Sequence, residues 1–138
     1  MYEVVENTTG WVIREKGSRY EVDLREKLLQ FSIDTLTFLK SIPYRKEFDV
    51  LRHQLSRSAT SIGANYEESQ TTTYNEFIQR IRIALREANE TLYWLKIIRG
   101  LNIGNKEQLK QLMVECEEIL KIFGTIYSKV NQSKGSRK

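Results

Sequence analysis

The sequence predicts an all-α fold, an up-down-up-down four-helix bundle. Four stretches carry apolar residues at alternating steps of 3 and 4, and the links between them are short. Helix breakers are sparse: Pro43 is the only proline, and Gly63 is the only glycine between residues 18 and 99.

The first helix follows Leu24, Leu28, Phe31, Thr35, Phe38 and Ile42, ending just before Pro43. The second follows Phe48, Leu51, Leu55, Ser58, Ile62 and Asn65 to about Ser69. Thr71, Thr72 and Thr73 then offer caps, and Thr73 with Glu76 reads as a capping box. The third helix has the clearest period, through Tyr74, Ile78, Ile81, Leu85, Ala88, Leu92 and Leu95, with a stop at Gly100. Gly100 and Gly104 punctuate the next link. Leu109, Leu112, Cys116, Ile119, Phe123, Ile126 and Val130 mark the fourth helix. Residues 1–20 are a separate N-terminal arm, punctuated by Thr9-Gly10 and Gly17-Ser18. Its Val4, Val5, Trp11, Val12 and Ile13 suit a hairpin, a segment crossing the bundle, or a reach to a neighbouring subunit. The bundle spans 21–131, and 132–138 reads as a disordered basic tail.

A chain of 138 residues with 40% apolar side chains buries a core as one domain without metals or disulfides. The lone Cys116 has no intramolecular disulfide partner, and no apolar run approaches the ~18 residues of a membrane span. Met1 to Glu6 carries two acids and no base, unlike a signal peptide. The expectation is a cytoplasmic protein with no membrane association.

Bundles can house di-iron sites, so Glu67, Glu68, Glu87 and Glu90 require a test. Such sites need a Glu-x-x-His motif from each of two helices. The only histidine is His53, and Val50 stands three places before it. One His and one Cys also supply zinc binding and Cys-His catalysis poorly. No catalytic residue, metal or cofactor is expected, and Cys116 reads as a small buried hydrophobe.

Ser58 and Asn65 interrupt the apolar stripe of the second helix and need polar partners if buried. Asn65 is expected to bond across the core. Arg57, Ser61 and Glu68 share a flank and face Glu87 or Glu90 in a structural ion-pair network. The charge of +4 is uneven: residues 1–70 carry a net −1 and residues 71–138 a net +5. Arg82, Arg86, Lys96 and Arg99, with Arg52 from the second helix, form a candidate nucleic-acid face on which Tyr93 can stack. No zinc finger, phosphate loop or RNP pattern is present, so contacts to phosphates without base selectivity are expected. The other reading pairs these arginines with Glu87 and Glu90.

Two further apolar seams lie off the core stripes: Leu29, Ile33 and Leu36 on the first helix, and Ile83, Trp94 and Ile97 beside Glu87 and Glu90 on the third. A monomer would expose both, which predicts self-association through a dimer or a closed ring.

The segment Gln54 to Glu68, above all Arg57-Ser58-Ala59-Thr60-Ser61-Ile62-Gly63-Ala64-Asn65, followed by Glu76-Phe77 and by Ile83 to Leu95, carries a family signature. It resembles the four helix bundle family, encoded within intervening sequences of bacterial 23S ribosomal RNA genes, with many stand-alone relatives. Gly63 where proline is frequent, and Tyr66-Glu67-Glu68-Ser69 in place of Ile-Ala-Glu-Gly, suit the stand-alone branch. The resemblance implies a homopentamer and a fold kinship with the accessory protein of diversity-generating retroelements; it implies no catalytic residues. The sequence therefore points to a non-catalytic, homo-oligomeric scaffold with RNA or DNA as ligand. The alternative is a protein-only adaptor that uses its N-terminal arm or oligomer rim.

Overall fold

The computed structural model describes residues 2–7, 10–15, 24–70 and 72–136. Four helices build the bundle: α1 (Leu24–Leu39), α2 (Asp49–Ser69), α3 (Tyr74–Leu101) and α4 (Lys106–Ser136). A hairpin of β1 (Tyr2–Asn7) and β2 (Gly10–Glu15) precedes them. Thr9, Gly17, Ser18 and Thr71, among the expected punctuation, lie outside the described residues, as do 21–23 and 137–138.

Leu24, Leu28, Phe31, Thr35 and Phe38 are buried along α1, and Ile42 is buried beyond its end. The helix stops three residues short of the expected Ile42. A residue before proline is pushed out of the helical region, and the last turn tightens to bonds from the Ser41 and Ile42 amides to the Phe38 and Leu39 carbonyls. Arg52 of α2 then reaches back, its Nη2 donating to the Ile42 and Pro43 carbonyls while its guanidinium lies 4.3 Å from the Tyr44 ring centroid. At the opposite end Arg25 grips Glu67 with two bonds of 2.9 and 2.7 Å. These contacts, start of one helix to end of the other, make α1 and α2 antiparallel.

The third helix departs from the expected seam. Its buried row is Phe77, Ile78, Ile81, Ala84, Ala88, Thr91, Leu95 and Ile98, while Tyr74, Leu85 and Leu92 are half-buried on the flank. A helix packed between two neighbours buries its small residues where backbones approach: Thr91 meets Ser58 of α2, and the Ala88 carbonyl accepts from Cys116 of α4. The helix also runs through Gly100. Its stop is Asn102, in the left-handed region at φ 58°, a conformation asparagine tolerates. Thr73 caps the N-terminus, its hydroxyl accepting from the Glu76 amide.

Asn105 caps α4 through the Gln108 amide and donates its own N–H to Ser41 Oγ, tying the link to the end of α1. Leu109, Leu112, Cys116, Ile119, Phe123, Ile126 and Val130 are all buried. The helix continues to Ser136, so residues expected in a disordered tail from 132 extend α4 instead. The N-terminal arm takes the first of its three forms. Its antiparallel register pairs Val4 with Ile13 and Glu6 with Trp11. The face bearing Ile13 and Trp11 lies on the bundle: Ile13 is fully buried, its N–H donates to the Tyr66 hydroxyl at 3.3 Å, and Trp11 packs 4.8 Å from the Tyr74 ring. Lys129 of α4 bonds the Tyr2 carbonyl at 2.8 Å.

Gly104 supplies the sharpest backbone constraint. Its φ is +80°, and an added Cβ would sit 2.8 Å from Cζ of Phe38. Gly104→Ala should cost at least about 1–2 kcal/mol, from the positive φ before any ring displacement. A denaturant midpoint unchanged from wild type would show that the link relaxes freely.

Candidate nucleic-acid interface

The outer surface of α3 is set by what its inner flank engages. Arg57 of α2 lies between two carboxylates, with Nη1 at 3.2 Å from Glu87 and Nη2 at 2.5 Å from Glu90. Glu90 also accepts the Trp94 indole N–H at 3.2 Å. Its carboxyl is held below the usual value, first by the Arg57 hydrogen bond, against partial burial. One turn inward, the Thr91 hydroxyl lies 2.9 Å from Ser58 Oγ and 2.8 Å from the Glu87 carbonyl.

A second polar cluster lies nearer the α2–α3 link. Asn65 does not bond across the core; its Nδ2 donates to Ser61, one turn back, and its Oδ1 accepts from Arg80 at 3.0 Å. Arg80 also pairs with Glu68 at 2.9 Å. The sequence reading missed Arg80. The signal was present: Asn65 and Arg80 stand almost equally far on either side of Thr73, as do Arg57 and Glu90, so an antiparallel pair brings each couple together.

With Glu87 and Glu90 turned toward α2, the bases of α3 are left to solvent. Arg82, Arg86, Tyr93 and Lys96 are all exposed and, with Asn89, follow steps of 4, 3, 4 and 3 along one outward stripe. None of these cations, nor Arg99, has a carboxylate partner among the described residues. Arg99 is exposed at the end of α3 and borders a groove of about 420 Å³ shared with Lys106 and Lys110, floored by Ile103, Leu109 and Met113. Sequence periodicity on single helices missed Lys106 and Lys110, which join Arg99 only through the turn. Arg52 does not belong to this face. Its side chain is 17% exposed and committed to the end of α1, so its role is to hold that turn.

Leu29, Ile33 and Leu36 of α1 are 54%, 46% and 46% exposed. Ile83, Trp94 and Ile97 differ, being half-buried, with Trp94 and Ile97 against the margin of the core. Cys116 is fully buried and its thiol is pushed up to about 12, chiefly by burial, so it stays neutral. Among the described residues no three His, Cys, Asp or Glu side chains converge as metal ligands, and no helix is long and apolar enough to cross a membrane.

Glu90→Gln tests the Arg57 cluster. Because the folded carboxyl is depressed from 4.5, its contribution is complete above that pH and is lost as pH falls through the lower folded value. The variant should lose about 0.5–1 kcal/mol at neutral pH, the scale of a solvent-accessible pair, and converge on wild type in acid. Parallel stability curves from pH 7 to 2 would refute the pairing.

Residues 21–125 match the family described as 23S rRNA-intervening sequence protein. No curated protein matches the chain. Among solved structures, a protein of unknown function from the S23 ribosomal protein family of Bacteroides thetaiotaomicron is 36% identical, with a TM-score of 0.66. The alignment covers 75% of this chain and 97% of that one. With the four-helix architecture and a match over most of its length, the chain belongs to the 23S rRNA-intervening sequence protein family.

Proposed function

We propose that this protein is a non-catalytic, homo-oligomeric scaffold that binds RNA or DNA through the phosphate backbone, along the outer stripe of α3. The observation that carries the reading is the sorting of charge on that helix. Its Glu87 and Glu90 are engaged by Arg57, while Arg82, Arg86, Lys96 and Arg99 are exposed with no carboxylate partner among the described residues. Unpaired cations pay no ion-pair loss when a phosphate replaces water, and each phosphate contact releases a condensed counterion. Fluorescence anisotropy across a salt series tests it. Each of Arg82→Ala, Arg86→Ala and Lys96→Ala should flatten the slope of log affinity against log salt by about one unit, regardless of base sequence. Absence of binding to RNA and DNA at low salt would overturn the reading and favour the protein-only adaptor. That alternative keeps the oligomer rim but loses its N-terminal feature, because Trp11 packs against Tyr74 and Phe77 of its own chain.

Self-association is supported by the exposed row Leu29, Ile33 and Leu36, one apolar side chain per turn on a surface helix. Light scattering coupled to size exclusion should give a mass several times 16.3 kDa, consistent with a closed ring. Ile33→Glu, at an exposed position outside the core, should dissociate it with helix content kept. A monomeric wild type at micromolar concentration would overturn this part.

A further inference from the structure

We propose that the α3 stripe takes single-stranded nucleic acid, with Tyr93 as a braced stacking platform that selects unpaired bases over a duplex; this deepens the nucleic-acid reading and rests on it. Tyr93 is 59% exposed and sits in mid-stripe, with Arg86 before it and Lys96 after it. The ring lies outside both the core and the exposed apolar row of α1, so much of its face is open to a ligand.

The ring is also held. It meets Trp94 in an edge-to-face pair, centroids 5.3 Å apart and planes at 68°. Trp94 is fixed in turn by its indole N–H to Glu90, whose same Oε1 accepts from Arg57 of α2 at 2.5 Å. A chain of contacts thus runs from a neighbouring helix through Arg57, Glu90 and Trp94 to the exposed ring. An aromatic surface ordered before binding loses little rotamer freedom on binding.

Bases in a duplex have both faces covered by their neighbours, so the ring has nothing to stack on. An unpaired base offers a free face, and aromatic stacking is tolerant of base identity. The spacing fits: Arg82 to Lys96 rises about 21 Å along the helix, the reach of about six stacked nucleotides. Phosphates on the arginines and lysine place a base over Tyr93 between them. Arg57, Glu90 and Trp94 are positioning residues for that ring.

The experiment compares a fluorescein-labelled 12-nucleotide oligouridylate with a 12-base-pair RNA duplex at one moderate salt concentration. Wild type should prefer the single strand. Tyr93→Ala should weaken oligouridylate binding about ten-fold and leave duplex binding within two-fold, while Tyr93→Phe retains the preference. In a Trp11→Phe background, Trp94 fluorescence should be quenched by oligouridylate and not by the duplex. Trp94→Leu, which removes the ring's support and no charge, should lower the preference without changing the salt slope set by Arg86. Equal losses for both ligands in Tyr93→Ala, or none, would overturn stacking while leaving phosphate binding intact. Competition by polyglutamate as effective as by oligouridylate would also overturn it. No binding of either nucleic acid at low salt would remove the underlying reading and this inference together.

Discussion

The close antiparallel contact of α2 with α3 is the constraint on which the proposed nucleic-acid surface depends. Ser58 and Thr91 are both fully buried and answer each other across that contact, with Ala59, Ala84 and Ala88 keeping the surrounding surface small. A slip of one turn would separate the two hydroxyls and leave each only the bond to its own helix, Thr91 to the Glu87 carbonyl and Ser58 to the Leu55 carbonyl. The register is therefore specified by a polar pair within an otherwise apolar seam, a more selective device than apolar contact, which tolerates sliding.

Once that register is set, the charges above it sort themselves. Arg57 is delivered to Glu87 and Glu90, and Arg80 to Asn65 and Glu68, so the flank of α3 facing α2 is neutralised locally. The outward stripe, about a third of a turn away, keeps its arginines and lysine without counter-charges among the described residues. A helix carrying both signs is commonly a solvated face laced by pairs along its own length. Here Glu87 and Glu90 are used between helices, which leaves the outward cations of α3 without carboxylate partners among the described residues.

The ends of the bundle are closed by different chemistry. Arg52 satisfies carbonyls freed where Pro43 terminates α1, and Ser41, Gly104 and Asn105 lock the α3–α4 link against the same corner. At the far end the hairpin covers Tyr66, Tyr74 and Phe77, so aromatic side chains near the α2–α3 link are shielded by residues from the start of the chain. Tyr66 connects these layers: its hydroxyl accepts from Ile13 while its ring meets Phe123 edge-on across the bundle.

The amino-acid order by itself determined the four helices, their antiparallel succession and the Leu109-to-Val130 stripe of α4, though not Met113 and Ile122 buried beside it, because apolar periodicity and Pro43 act within a few residues of chain. It also placed Arg57 near Glu87 and Glu90, since pairs equally far from a short link must meet. Other features depended on contacts that periodicity does not carry. The α3 seam rotated from Leu85 and Leu92 to Ala84 and Thr91 because two neighbouring helices, rather than one, decide which side chains are enclosed. Arg52 left the basic face because unsatisfied carbonyls at the end of another helix held its guanidinium. The hairpin's seat against Tyr66 and Tyr74, and the meeting of Arg99 with Lys106 and Lys110, arise from elements folded together in space. Local sequence sets period and breakpoints; the competition of several surfaces for one side chain is settled only by tertiary packing.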